Sequence, residues 1–348
     1  MTSVTQLSLT TPAALEAAGL VADARALAPV AARYAVSLTP AVAGLIDPSD
    51  AADPIARQYV PSPAELTVLS EELADPIGDA RHSPVKGLVH RHADRVLFKV
   101  TGVCPVYCRF CFRREMVGPQ KAEALRASEI DAAFAYIAAH PEIWEVILTG
   151  GDPFALSARR ARDLTERLDA IAHVRVIRWH TRVPVADPAR VTDEFARAIA
   201  PSRARLAVAI HANHPRELTD EARAAFARLA EAGAMLVSQS VLLKGVNDDA
   251  ETLAALMRGF VEAGVKPYYL HHPDLAPGTS HFRVSVAEGQ ALMRRLRTRI
   301  SGIAMPTYVL DIPGGEQKAL ASESDVLVDD DGVAVRDSLG AWRRTEHE

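Results

Sequence analysis

An α/β fold is predicted for this 348-residue chain: six parallel βα units curled into part of a barrel, between an N-terminal helical region (1–89) and a C-terminal segment (305–348). Three observations lead there. From Arg95 onward, short apolar runs alternate with segments of helical period, each of six such runs is followed by a helix-like stretch, and glycines stand where helices should stop. Six consecutive βα units close into a barrel or part of one, with chemistry at the carboxyl ends of the strands.

Before residue 90 the chain is Ala-rich, with helical stretches such as Pro12-Ala-Ala-Leu-Glu-Ala-Ala and Pro63-Ala-Glu-Leu-Thr-Val-Leu interrupted at Pro40, Pro48, Pro54, Pro61 and Pro76. Short helices packed on the main domain, with little functional signal, are expected. The core (90–304) holds the predicted strands 95–102, 145–151, 174–182, 206–212, 235–243 and 266–272. Ser128 and Thr219 precede amphipathic segments as N-caps, while Gly233 and Gly264 end them. Within 219–233, Ala222, Ala225, Phe226 and Leu229 fall on one helical face.

Hydrophobic residues make up 49% of the chain, enough for one large core. The formal net charge of −5 gives no electrostatic footprint for nucleic acid. With no run of 18 apolar residues and no cationic signal segment, a soluble cytoplasmic protein is expected, with neither membrane nor nucleic acid among its partners.

The chain contains three cysteines, all inside Cys104-Pro-Val-Tyr-Cys108-Arg-Phe-Cys111, directly after the first core strand. Three thiolates can hold three irons of a four-iron, four-sulfur cluster and leave the fourth iron open for a ligand. A disulfide framework fits poorly with an odd count and short spacings. Zinc would need a distant histidine, and CxxxCxxC is not a common zinc spacing. The second core strand ends in Leu148-Thr-Gly150-Gly151-Asp152-Pro, where paired glycines let backbone approach a ligand, although taken alone this is a turn. Near the C-terminus a strand runs through Asp311 into Pro313-Gly-Gly and presents Lys318, a residue type that forms a Schiff base when its site lowers the pKa.

With Tyr107 inside it, the cysteine run closely resembles the motif of the radical S-adenosylmethionine (SAM) superfamily. The combination of cluster loop, strand-end carboxylate and Pro-Gly-Gly…Lys resembles the lysine 2,3-aminomutase family. That resemblance implies a partial barrel of radical SAM type, an isomerase activity, and three cofactors: a 4Fe-4S cluster on Cys104, Cys108 and Cys111, SAM, and pyridoxal 5′-phosphate (PLP) on Lys318. It implies Arg91 and Arg95 for the PLP phosphate, whose geometry suits guanidinium, and Gln239 as a further PLP contact. Gly150, Gly151 and Asp152 then serve the SAM amino group, and His211 lies near SAM. Arg113 grips the substrate α-carboxylate, and Asp274 and Asp311 bind its distal ammonium. A buried carboxylate pair is costly without a cation between its members, which favours lysine over glutamate and leaves arginine open.

Some features depart from the family pattern. Asp249 stands where the large lysine-degrading members carry a zinc-binding cysteine, and their C-terminal extension has no counterpart here, so a homodimer is expected instead of their tetramer. Glu316 and Gln317 interrupt the glycine run before Lys318. The short length resembles the branch that supplies β-lysine for elongation factor P, whereas Asp311 and Pro313 look like the degradative branch. A flavodoxin- or ferredoxin-type protein is expected to reduce the cluster. Two rivals remain: a PLP-independent radical SAM enzyme modifying peptide or RNA, in which Lys318 is dispensable, and a non-catalytic cluster protein, which cleaves no SAM.

Overall fold

The computed structural model describes residues 7–118, 124–315, 317–322, 326–329, 332–336 and 341–345. Among these, one main sheet has nine strands in sequential order: β1 (Leu88–His92), β2 (Arg95–Thr101), β3 (Glu145–Gly150), β4 (Val176–Thr181), β5 (Arg205–His211), β6 (Met235–Val241), β7 (Lys266–His271), β8 (Thr307–Asp311) and β9 (Lys318–Leu320). Strands β2 to β8 run parallel. Antiparallel β1 and β9 border them. All six predicted strands are present. The sheet extends further than predicted, because β8 adds a seventh parallel strand and the sheet continues across residues 89/90 and 304/305. A separate antiparallel sheet holds β10 (Val326–Asp329), β11 (Gly332–Arg336) and β12 (Trp342–Thr345).

The two-residue period of a strand decides which side chains reach the site. On β2, Val96, Phe98 and Val100 are buried in the outer core, where Phe98 meets Phe134 of the helix Ala127–Ala139 edge-on at 5.7 Å. Arg95 and Leu97, on the alternate positions, line the cavity inside the curved sheet. The alternation repeats on β4, with Ile177 and Trp179 outward and Arg178 and His180 inward. It repeats again on β5, where Leu206, Val208 and Ile210 face the core and His211 faces the cavity.

Helices cover the outer face. In the helix Asp220–Glu231, Ala222, Ala225, Phe226 and Leu229 are fully buried as their spacing requires, and the Thr219 hydroxyl accepts from the Ala222 amide at 3.2 Å. Cutting Phe226 back to Ala would cost about 3–5 kcal/mol. Gly233 and Gly264 follow helix ends at φ +88° and +75°, where a side chain would be strained. Ser128 lies inside its helix, one turn position later than expected. The helix starts at Ala127, because the Glu129 carboxylate accepts from the Arg126 amide at 2.8 Å and so supplies the cap from within the first turn.

The N-terminal region forms short helices, as its prolines predict, and a second hydrophobic cluster. Leu15, Leu38, Ile55 and Tyr59 pack there with Val106 and Cys108 from the cysteine loop. This region therefore does more than cover the barrel.

Candidate active site

A cavity of about 820 Å³ fills the inside of the sheet, and every site residue implied by the sequence touches it. Its walls group into four places.

The first is the cysteine loop, at the carboxyl end of β2. Cys104, Cys108 and Cys111 are free thiols, each partly exposed. Burial raises the pKa of all three, Cys108 to about 11 despite the opposing Arg182 guanidinium; for Cys104 the nearby Asp152 and the other two thiols raise it further. Bare thiolates are therefore disfavoured here, and a bound cation would stabilise them. Among the described residues no three His, Cys, Asp or Glu side chains converge on one ion. In a four-iron, four-sulfur cluster each thiolate binds a different iron. The N-terminal region clasps this loop. Ser37 Oγ donates to the Pro105 carbonyl at 2.7 Å, and the Arg109 amide donates to the Gln58 carbonyl at 2.8 Å. Inside the motif, Arg109 is 2% exposed, and its Nε and Nη2 reach the fully buried Glu65 carboxylate at 3.0 and 2.6 Å; Arg114 joins the same carboxylate. Burial works against the Glu65 charge, but the two guanidiniums hold its pKa below the usual range.

The second place is the Gly150-Gly151-Asp152 turn after β3. A Cβ on Gly150 would lie 2.3 Å from the Thr101 carbonyl oxygen, and one on Gly151 would lie 2.4 Å from that of Val103. Glycine is required because this turn presses on the chain leading into the cysteines. The Gly151 and Asp152 amides donate to Thr101 and Val103. The Asp152 carboxylate is engaged by Thr181 Oγ1 at 2.8 Å, the Arg182 amide at 2.7 Å and the Phe154 amide at 3.0 Å. What the turn leaves toward the cavity is backbone.

Behind it, His211 and Gln239 are register partners on β5 and β6, and both line the cavity. Burial, with the Arg182 and His271 charges, pushes the His211 pKa down to about 3, so the ring is neutral. Its Nε2 and that of His180 are buried without a hydrogen-bond partner.

Cations form the third place. His92, on β1, is kept neutral by burial and by the nearby Arg95 and Arg91, with Lys318 adding to the same field. Arg91 has a buried Nε with no partner. Arg95 is more exposed and donates to the adjacent Asp94 at 2.7 Å. Sequence reasoning missed the group that organises this place: Asp79, fully buried, accepts from Arg91 Nη2 at 3.3 Å and Arg113 Nε at 3.1 Å, with Lys99 Nζ at 3.7 Å. A single aspartate in a proline- and glycine-flanked turn reads as turn chemistry, and nothing local reveals partners farther along the chain.

The fourth place is the carboxylate pair. Lys318, at the start of β9, donates to Asp311 Oδ1 at 2.7 Å, and His271 Nδ1 lies 3.7 Å from Asp311 Oδ2. Burial opposes the Asp311 charge, but His271 and Lys318 together drive its pKa far below the usual range. Asp274 behaves oppositely. Burial and the Asp311 charge raise its pKa to about 7. One member of the pair is thus held as an anion, while its partner is shifted toward the neutral form. Gln317 lines the cavity beside Lys318, while Glu316 lies outside the described residues.

The Radical SAM superfamily model matches residues 98–257. The L-lysine 2,3-aminomutase of Clostridium subterminale is 38% identical over 283 residues, which span 81% of this chain and 68% of that protein. The chain belongs to the lysine 2,3-aminomutase family. The member from Acetoanaerobium sticklandii is 40% identical over 283 residues, or 81% of this chain and 68% of its own. The one from Escherichia coli K12 is 39% identical over 266 residues, spanning 76% and 77%. Members of this family are isomerases that use a 4Fe-4S cluster, SAM and PLP. The residues present fit all three groups. Three unbridged thiols share one loop, unpartnered imidazole nitrogens lie buried in the wall, and an unpartnered guanidinium nitrogen sits beside a cationic site within reach of a lysine. Among the described residues no helix is long and apolar enough to cross a membrane.

Proposed function

We propose that this protein moves the α-amino group of L-lysine to C3, giving β-lysine. The observation that carries the substrate is the Asp274–Asp311 pair: Lys318 contacts Asp311, while Asp274 has no ion-pair partner within contact distance among the described residues and suits a second ammonium. Cys104, Cys108 and Cys111 would hold the cluster, with Gly150, Gly151, Asp152 and His211 serving SAM. Lys318, Arg91, Arg95 and Gln239 would hold PLP. When bound, these groups supply a 5′-deoxyadenosyl radical and a π system over which an unpaired electron spreads.

The chain's own residues set orientation. Arg113 binds the substrate α-carboxylate and the aspartate pair binds the distal ammonium, so the amino acid is stretched between two charged anchors with its C2–C3 bond fixed between them. His271 holds Asp311, keeping that anchor ionised. The Lys318 amine, hydrogen-bonded to Asp311 Oδ1, has a place to rest as an ammonium whenever it is not bonded elsewhere. Neutral His211 and His180 in the wall add no charge to compete with the anchors.

We further infer a cytoplasmic homodimer, divided as an N-terminal region, a radical SAM core and a C-terminal PLP segment, and reduced by a one-electron flavodoxin- or ferredoxin-type partner. The functional test is anaerobic reconstitution with iron, sulfide, SAM, PLP and a reductant, followed by chromatography of products from L-lysine, L-arginine and L-glutamate. β-Lysine formation dependent on SAM and PLP is expected. Turnover of arginine in preference to lysine, or SAM cleavage without PLP, would overturn the reading.

A further inference from the structure

In the proposed function Arg91 and Arg113 are two anion grips, one for a phosphate and one for a carboxylate. The structure ties them to a single atom pair. Asp79 Oδ1 accepts from Arg91 Nη2, and Asp79 Oδ2 accepts from Arg113 Nε. Lys99 stands 3.7 Å from the same Oδ2. None of these three cations has another carboxylate within ion-pair distance among the described residues. Three cations therefore share one carboxylate in direct contact, with Asp75 and Asp274 acting on them only from farther off, in a place where unbalanced charge is costly. A carboxylate serving only the fold would be expected to balance its partners. The surplus here is what two anionic ligands would neutralise.

The choice of nitrogens points the same way. By taking Nε of Arg113, Asp79 leaves the terminal Nη1/Nη2 edge of that guanidinium for a carboxylate, the edge that makes paired parallel hydrogen bonds. By taking one Nη of Arg91, it fixes the plane of a side chain whose Nε stays unpartnered in the cavity wall. A free arginine has many rotamers, and immobilising it beforehand removes that entropic cost from ligand binding.

Asp79 is itself held. Its amide and that of Ala80 donate to the Asp75 carboxylate at 2.9 and 2.8 Å. The same loop abuts the turn that precedes Lys318. The Gly314 amide donates to the Pro76 carbonyl at 3.2 Å, and a Cβ on Gly78 would lie 2.2 Å from the Gly314 carbonyl oxygen. A Cβ on Gly315 would lie 1.8 Å from the Ile77 carbonyl oxygen and 2.9 Å from Arg91 Cζ. Loop 75–79, Arg91 and the lysine-bearing turn are thus in mutual contact.

We propose that Asp79 is the positioning residue shared by both anion grips, setting Arg91 for the PLP phosphate and Arg113 for the substrate α-carboxylate. It touches neither ligand and acts through the two arginines. The inference rests on the proposed aminomutase reading, and its test separates the two. Cluster-reconstituted wild type and Asp79→Asn are titrated with PLP and with pyridoxal, which lacks the phosphate, by absorbance and by borohydride trapping on the protein. The asparagine can accept from one arginine only, and its amide repels the other. PLP binding should weaken about tenfold or more, while pyridoxal binding and cluster absorbance stay as in wild type. At saturating PLP, KM for lysine should rise by a similar factor with a smaller change in kcat. Equal weakening of PLP and pyridoxal, or no change in either, overturns the role of Asp79 and leaves the aminomutase reading standing. Wild type that binds neither sinks both. Should Asp79→Asn fail to fold, Asp79→Glu keeps the charge but displaces it by one methylene; an unchanged PLP-to-pyridoxal preference in that variant overturns the proposal, and a reduced one supports it.

Discussion

Asp274 gives the substrate assignment its sharpest test, because its protonation should report whether an ammonium is bound. Burial and the Asp311 charge raise its pKa to about 7, and Lys318, Arg113 and Arg91 pull in the opposite direction without overcoming them. The group is neutral below that value and anionic above it. An incoming ε-ammonium stabilises the anion, so lysine should bind better as pH rises through 7. Between about pH 8 and about pH 6 the ionised fraction of such a group falls about tenfold, and kcat/KM for lysine should fall by the same factor. Replacing Asp274 by Asn removes both the titration and a charge-assisted hydrogen bond of about 1.5–3 kcal/mol. At about pH 8 the variant should therefore lose about tenfold to about 150-fold in kcat/KM for lysine, with its pH slope flatter than wild type by about one decade. The assay is β-amino acid formation under anaerobic conditions across that range, for wild type and variant in parallel, so that any pH dependence of the cluster cancels. L-norleucine, a lysine without its ε-amine, should be affected little by the substitution. An unchanged pH slope in the variant, or equal losses for lysine and norleucine at unchanged PLP content, would refute the claim that Asp274 meets the ammonium.

Three further outcomes are expected. Cys104→Ala, Cys108→Ala or Cys111→Ala should each abolish cluster absorbance and SAM cleavage while retaining PLP; full SAM cleavage by any of them would dismiss the ligand assignment. Borohydride reduction of the PLP-loaded protein should fix the cofactor to Lys318, as read by peptide mapping, and Lys318→Ala should lose this label but keep its cluster; label on another lysine would discard the assignment. Glu65→Gln should destabilise the protein by about 3–5 kcal/mol, because Arg109 and Arg114 lose their buried counter-charge; a thermal midpoint equal to wild type would show that the clasp on the cysteine loop contributes nothing.

Strand positions were legible because period two in Val96, Phe98 and Val100 or Leu206, Val208 and Ile210 is written locally. β1 was not, since Leu88-Val-His-Arg-His holds only two apolar residues and offers no such alternation. The end of the helix Asp220–Glu231 could be read from Gly233, but the start of Ala127–Ala139 could not, because Ser128 and Glu129 compete for one capping role. The same limit governs the site. Residues inside a motif, such as Cys104 or Lys318, carry their own signal. Asp79 and Glu65 act through partners distant along the chain, and such pairing leaves no periodic trace.

The contact between Ile77 and Gly315 sets an order on how this protein is made. Each strand of the main sheet pairs with its neighbours in sequence, so the sheet can extend as the chain leaves the ribosome. The cysteine loop, its N-terminal clasp, Arg91 and Arg113 are synthesised early and can settle against one another. The turn that packs on Ile77, and the lysine beyond it, emerge after the core helices are complete. On the proposed assignments, a nascent chain would present its three thiols before it has Lys318, so iron could be taken up ahead of PLP.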